Sequence, residues 1–180
     1  GDVKIRGIES AKYVSAYKGQ MITNGNWIKT GEGVFLSVIF LDGTNIKIHQ
    51  KTEIEIKSSR ITAKELKTNM YIAEGEAWSK VNKQGNGSFK IETPTAVASV
   101  KGTSFILESN LDFGDKFYGF DGVVEILNKE SNKIIKLSRN LKVVSTPDGQ
   151  INSEIMTQVD LDVIDEIQSS TGDSQLEEEI

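Results

Sequence analysis

Apolar and polar residues alternate with a period of two along most of this chain. Asn45-Ile46-Lys47-Ile48-His49 alternates, as does Glu53-Ile54-Glu55-Ile56-Lys57, and the polar break Gln50-Lys51-Thr52 separates them. Successive strand side chains point to opposite faces, so the pattern predicts strands with one buried and one wet side. Glycine and asparagine bound the runs, as they do where short strands end. In Phe40-Leu41-Asp42-Gly43-Thr44-Asn45 an Asp-Gly pair stands between apolar runs, and a tight type I′ hairpin is expected there. Asp121-Gly122 before Val123-Val124-Glu125-Ile126-Leu127 repeats the signal, with a bulge as the alternative because Gly119 and Phe120 precede it. Ile134-Ile135-Lys136-Leu137, Ser138-Arg139-Asn140 and Leu141-Lys142-Val143 echo the earlier order of strand, corner and strand, without a fixed period. The expected fold is all-β, with many short strands in a twisted sandwich or solenoid-like stack.

Two segments depart from this pattern. Thr62-Ala63-Lys64-Glu65-Leu66-Lys67 reads as a helical turn. Beyond the turn-rich divider Pro147-Asp148-Gly149-Gln150, residues Val159, Val163, Ile164 and Ile167 fall on one helical face and predict a short C-terminal helix. The polar, acidic segment from Ser169 to Ile180 follows it. The expected organisation is an all-β domain over residues 1–150 and a helix with an acidic tail over 151–180.

Composition narrows the chemistry. A chain of 180 residues can bury a core without metals or disulfides. It has no cysteine, so thiol chemistry, disulfides and cysteine-based zinc sites are excluded, while the compartment stays open. No apolar run reaches the roughly 18 residues that a membrane span needs. The formal charge of −5 belongs to the C-terminal end: Asp160 to Ile180 holds eight acidic and no basic residues, leaving 18 acidic against 21 basic before it. That small basic surplus does not argue for nucleic acid.

Few residues offer themselves for reactions. His49 is the single histidine and, as the last residue of an alternating run, is expected at an edge or on the surface. Glu74 and Glu76 are expected on one strand face, which fits poorly with a pair of carboxyls on either side of a glycosidic bond. Asn110-Leu111-Asp112-Phe113-Gly114-Asp115 is rich in oxygens but lacks the spacing of a calcium loop, and a plain loop is expected. Trp27, beside Asn24-Gly25-Asn26, is either a core ring or a flat contact surface for a sugar or a protein. Asn86-Gly87-Ser88 has the form of a glycosylation triplet, a signal that means little if the protein is bacterial. No residue is assigned to catalysis, to a metal or to a cofactor.

Four stretches in order carry a family resemblance: Ile28-Lys29-Thr30-Gly31-Glu32-Gly33, Leu41-Asp42-Gly43-Thr44 with Ile46, Glu74-Gly75-Glu76-Ala77-Trp78, and Ile91-Glu92-Thr93-Pro94-Thr95-Ala96-Val97-Ala98-Ser99-Val100-Lys101-Gly102-Thr103-Ser104-Phe105. Over roughly residues 16 to 145 the chain resembles the FecR-type domain of bacterial envelope proteins. That family's hallmark is Thr-Pro-x-Ala followed by Val-Arg/Lys-Gly-Thr-x-Phe. Gly119-Phe120-Asp121-Gly122-Val123-Val124-Glu125 resembles its closing strand, and Lys101 stands where the family often has arginine.

The motif residues Thr30, Gly31, Asp42, Gly43, Thr44, Gly75, Trp78, Thr93, Pro94, Ala96, Gly102, Thr103 and Phe105 are read as architectural. Trp78 is expected in the core, Pro94 at a strand corner, and Thr103 as a hydroxyl cap on the Gly102 bend. The resemblance implies a non-enzymatic, extracytoplasmic interaction or sensor domain of an envelope signalling protein, related to regulators of sigma factors. A protein partner in the envelope is expected, through a strand edge or the acidic tail, and no cofactor. The alternative is a stand-alone surface or cell-wall module that binds polysaccharide through Trp27. On either reading this chain carries neither a membrane span nor a cytoplasmic sigma-binding half.

Overall fold

The computed structural model of the chain describes residues 2–62, 65–83, 85 and 87–170, with the backbone alone at 59–62, 65, 66 and 170. In chain order the strands are β1 (Val3–Arg6), β2 (Val14–Ser15), β3 (Asn26–Thr30), β4 (Leu36–Ile39) and β5 (Asn45–Ile48). Then come β6 (Glu53–Thr62), β7 (Glu65–Lys80), β8 (Ser88–Glu92), β9 (Ala96–Val100) and β10 (Ser104–Asn110). The last are β11 (Gly114–Asp121), β12 (Val123–Asn128), β13 (Ile134–Ser138), β14 (Leu141–Ser145) and β15 (Ile151–Ile155), before the helix α1 (Gln158–Ser170).

These strands form two sheets that share β7. The first half of β7 pairs with β6 and β8, in a sheet ordered β2-β1-β3-β6-β7-β8-β9-β12-β13. Its second half pairs with β5 and β10, in a sheet ordered β4-β5-β7-β10-β11-β14-β15. Gly75 marks the change of sheet, with φ at 115°. A Cβ there would stand 2.2 Å from Thr52 Oγ1 and 2.6 Å from Thr52 Cα, so this corner admits no side chain. The chain also crosses between sheets at Gly33, Lys51, Gly102, Gly122 and Asn140, each with positive φ. The echo in the sequence is therefore real: Ile48 to Ile54 and Leu137 to Leu141 are both corners between sheets.

The sheets face each other across one core. Ile54, Met70, Ile72, Ile91, Ala96 and Ile126 of the first sheet meet Ile46, Ile48, Ala77, Phe105, Leu107 and Phe117 of the second, all fully buried. The Phe40 ring stands edge-on to Phe89 across the gap, at 5.2 Å. Each buried branched or aromatic side chain is worth about 2 kcal/mol relative to exposure. The architecture is a twisted sandwich, the first of the two forms expected.

Helix α1 lies on the outside of the second sheet. Ile164 and Ile167 pack on Ile106 and Tyr118, with Trp78, Phe120 and Val163 around them. We call this the capped sheet and the other the open sheet, since among the described residues no element packs on its outer face.

Local expectations meet several corrections. The Asp42-Gly43 turn is not type I′. The Phe40 N–H donates to the Thr44 carbonyl at 2.9 Å, and within the turn Gly43 alone takes a positive φ, of 80°. It is a three-residue loop with a left-handed glycine. At Asp121-Gly122 the bulge is found: Ser104 faces Asp121 and Phe105 faces Gly119, so Phe120 is the extra residue. Thr62, Glu65, Leu66 and Lys67 are strand rather than helical turn, because Thr62 pairs with Glu65 in the β6–β7 hairpin; Ala63 and Lys64 lie outside the described residues. Pro147 to Gln150 closes the β14–β15 hairpin. In α1 the buried positions are Asp160, Ile164 and Ile167, while Val159 is 71% exposed. Thr157 and Asp160 form a capping box that fixes this facing, with Thr157 N and Oγ1 donating to Asp160 Oδ2 at 2.7 and 2.8 Å.

Candidate partner-binding face

The register of the open sheet lines up one residue from each of its strands except β2. Arg6, Trp27, Glu55, Tyr71, Glu92, Val97, Leu127 and Ile134 are direct partners in successive strand pairs. Directly opposed residues share a face. Their neighbours Ile28, Ile54, Ile56, Met70, Ile72 and Ile91 are buried toward the core, so the row faces out.

Its rings and charges hold one another. The Arg6 guanidinium lies over Trp27 at 4.8 Å and over Tyr13 at 5.3 Å. Trp27 and Tyr71 meet edge-on at 6.1 Å. Lys57 and Lys129 each stand 5.8 Å from the Tyr71 ring centre. Tyr13 donates to Glu53 at 2.5 Å, and Asn69 Nδ2 donates to Glu92 at 2.5 Å. Each cation on a ring contributes about 0.5–1 kcal/mol in partial exposure. Burial and then the bond to Glu53 raise the Tyr13 hydroxyl above its ordinary range. Burial and then the Asp115 carboxylate do the same for Tyr71. Both phenols therefore stay protonated at neutral pH, as hydrogen-bond donors rather than nucleophiles.

The motif residues stand at the corners beneath this face. Thr30 Oγ1 donates to the His49 carbonyl at 2.6 Å and accepts from Thr52 N at 3.0 Å, clipping the corner between β5 and β6. Gly31 N–H donates to the Asp2 carbonyl at 3.0 Å. Thr44 bonds to both carboxylate oxygens of Asp42 and accepts from Asn82 N at 3.1 Å. Ala96 and Phe105 are fully buried in the core. Pro94 sits between Thr93 and Thr95, and both threonine hydroxyls donate to Asp115 Oδ2, a carboxylate with no exposure. Thr95 also bonds to Ser145 Oγ, and Ser145 Oγ accepts from Asn128 Nδ2 at 2.9 Å.

The model of the family described as FecR protein matches residues 26–116, half of the chain. This chain belongs to the FecR protein family. The FecR match runs from β3 into β11 and so contains the central part of the outward row, from Trp27 to Val97. The chain is also similar to two crystal structures of a candidate anti-sigma factor from Parabacteroides distasonis. One is 22% identical with a TM-score of 0.62, over 77% of this chain and 63% of that one. The other is 24% identical with a TM-score of 0.59, over 72% and 59%. At these identities the likeness shows the fold, and this chain spans about three fifths of the length of those structures. No curated protein matches it.

Several other residues of this FecR chain stand where their sequence did not place them. Trp78 is half-buried on the outer side of the capped sheet beneath α1, not between the sheets, and Lys47 lies 5.6 Å from its ring. The Thr103 hydroxyl is buried and makes no hydrogen bond; its carbonyl accepts from Val81 N at 2.9 Å. His49 is buried rather than at the surface, with Nδ1 2.9 Å from Glu76 and its ring 4.8 Å from Phe35. Burial lowers the His49 imidazole; burial, then Glu108 and Glu166, raise the Glu76 carboxyl. Gly75 turns the strand between Glu74 and Glu76, so the two do not share a face. Asn110 Oδ1 accepts from Asp112 N and Phe113 N, while Asp115 turns inward to accept from Thr93 and Thr95, so Asn110 and Asp115 are not aimed at a common site. Asn86 lies outside the described residues. Sequence reasoning selected Trp27 from the row but missed Arg6, Glu55, Tyr71 and Glu92. All four occupy wet-side strand positions, and only the register unites them.

Proposed function

We propose that this FecR-family chain is a non-enzymatic, extracytoplasmic signalling domain that binds a protein partner in the bacterial envelope. Its contact surface is the outer face of the open sheet around Trp27 and Tyr71. The observation that carries this reading is the Arg6–Trp27–Tyr71 row on the one sheet face that no element of the described chain covers. Arginine, tryptophan and tyrosine are the residues that dominate binding at protein interfaces. The FecR match over the centre of the row supports it, as does the structural likeness to a candidate anti-sigma factor. Expected action as a regulator therefore lies in contact, with the reaction left to the partner or to another part of the protein.

The polysaccharide reading has less support. A sugar ring stacks on an open aromatic face, whereas Arg6 already lies over Trp27 and two lysines flank Tyr71. The test is capture from an envelope extract by the wild-type chain and by a Trp27→Ala/Tyr71→Ala variant, beside a glycan array. A protein held stoichiometrically by the wild type and at least tenfold more weakly by a folded variant is the expected result. Equal capture by both would remove this face from the account. A glycan retained through Trp27 with no protein captured would make the chain a surface-binding module.

A further inference from the structure

The capped sheet ends at β4, which pairs with β5 alone among the described residues. Exposure alternates without a break from Val34 to Leu41. Val38 is buried, and Leu36 and Phe40 pack against the core beside it. On the opposite side stand Phe35, Ser37, Ile39 and Leu41, with Ile39 73% and Leu41 84% exposed. The backbone alternates as well. Phe40 N–H donates to the Thr44 carbonyl in register with the β4–β5 pairs, so Leu36, Val38 and Phe40 turn their peptide groups to β5. Ser37 and Ile39 turn theirs to the free edge.

Folded proteins guard a free edge with charge, proline, a bulge or brevity, because its bare N–H and C=O groups recruit another strand. The other sheet edges here are guarded in this way. β2 is only two residues long, Lys133 precedes β13 and Lys136 lies within it, and β15 carries Glu154, held 3.3 Å from Lys142. β4 has no such guard: Val34-Phe35-Leu36-Ser37-Val38-Ile39-Phe40-Leu41 holds no charge and no proline, and its register with β5 is unbroken. A strand added here must be as free of charge, with apolar side chains on both faces, since a charge buried in the seam would go unpaired. The edge is its own complement in this respect. A twofold axis through Val38, perpendicular to the sheet, sets Ser37 opposite Ile39 of a second copy, where each pair exchanges both backbone hydrogen bonds. Leu36 then meets Phe40 of the second copy on the core side, and Phe35 meets Leu41 on the outer side. An axis through Ser37 would instead set Leu41 against Gly33 and leave it bare. The pairing is closed, because it uses up the β4 edge of both copies, whereas joining β4 to the charged β15 edge would give an open chain of copies.

We infer that β4 is the seam of a homodimer, in which two copies of this chain pair their β4 strands antiparallel and extend the capped sheet across both. The inference goes beyond the partner-binding reading, which concerns the outer face of the other sheet, and it stands or falls apart from that reading.

Sedimentation of the whole chain over a hundredfold range of concentration is expected to show a single monomer–dimer equilibrium. Amide exchange followed by NMR locates the seam. The N–H groups of Ser37 and Ile39 should gain protection as the dimer fills, while Val38 N–H, turned to β5, stays protected at every concentration. Ile39→Lys sets an ammonium group on each side of the seam and should weaken association at least tenfold. Its melting temperature at low concentration should match that of the wild type, because the Ile39 side chain is exposed in the single chain. Leu41→Lys, in the turn beyond β4, is a second variant that acts on the seam without touching the strand. A chain that stays monomeric throughout, growth beyond the dimer, or a dimer that both variants leave intact would overturn the inference. So would protection of the Ser37 and Ile39 amides by a captured envelope protein in place of a second copy, since the edge would then belong to that partner.

Discussion

Asp115 is the residue on which the distinctive corner depends. Its carboxylate accepts from the hydroxyls of Thr93 and Thr95 and from Thr95 N, and those groups pass the connection to Ser145 and Asn128. Five segments are thereby tied beneath the outward face: the β8–β9 corner, the starts of β9 and β11, and the ends of β12 and β14. Asp115→Ala removes the charged acceptor of two buried hydroxyls, leaving Thr93 only the Ala96 carbonyl and Thr95 only the Ser145 carbonyl and hydroxyl, and each hydrogen bond to a charged group is worth about 1.5–3 kcal/mol. A loss of about 3 kcal/mol corresponds to a fall of about 6–12 °C in Tm for a domain of this size. Thermal unfolding of the variant checks it, and a Tm within 2 or so degrees of wild type, at roughly the scatter expected of a neutral surface change, would contradict the account. The sequence made Thr93, Pro94 and Thr95 legible as a corner because their backbone and hydroxyl preferences are local. Their acceptor was not legible, since Asp115 sits in a stretch whose oxygens suggest a loop. Likewise nothing local to His49 announces Glu76, which reaches it only because β7 changes sheet at Gly75.

At the scale of elements, strands were legible and their pairing was not. Period-two alternation located β5 and β6, since half-buried strands need it, while a turn signal before an apolar run located β12 and the echo of strand, corner and strand located β13 and β14. The β6–β7 hairpin overrode a segment that looked helical, because ladder pairing outweighs the weak preference of so short a run. Helix α1 was legible in type but not in facing: Val159 is apolar yet exposed, and the buried place in the first turn goes to Asp160. Lys142 explains that exchange, with Nζ 2.8 Å from Asp160 and 3.3 Å from Glu154. Burial alone would push Asp160 up, but the bonds from Lys142 and Thr157 hold its carboxyl below the ordinary range. Burial alone would lower Lys142, but Asp160 and Glu154 hold it above its ordinary value. A depressed carboxyl adds stability above its unfolded pKa and loses it as the pH falls through its folded pKa. Asp160→Asn should therefore lower the Tm at pH 7, by about 4–8 °C for a loss of roughly 2 kcal/mol in cap and ion pair. The difference from wild type should shrink only as the pH falls below the ordinary carboxylate range and through the depressed folded pKa of Asp160, where the wild-type side chain also becomes neutral. Calorimetry from neutral pH down through that range measures it, and a difference that stayed constant would mean that the ion pair contributes nothing.

For the whole molecule, the shared strand decides how the parts depend on one another. The core cluster is contiguous across both sheets, β7 belongs to each, and the chain crosses between them repeatedly. Neither sheet is built from a single continuous stretch of chain, so neither can lose its structure while the other keeps its buried face dry. This level was the least legible in the sequence. A sandwich and a solenoid share the same short strands and corners, and only long-range register separates them. Two tryptophans make the dependence measurable. Trp27 lies on the outer face of the open sheet and Trp78 on the outer face of the capped one. Trp78→Phe leaves fluorescence reporting on the open sheet, and Trp27→Phe leaves it reporting on the capped sheet. The two variants differ in stability, so each fluorescence curve is compared with circular dichroism of the same variant. Within each, the two probes should give one denaturation midpoint, as cooperative unfolding requires. A fluorescence transition that preceded or followed the loss of strand signal would mean that one sheet survives without the other. The sharing of β7 would then be a matter of connectivity rather than of stability.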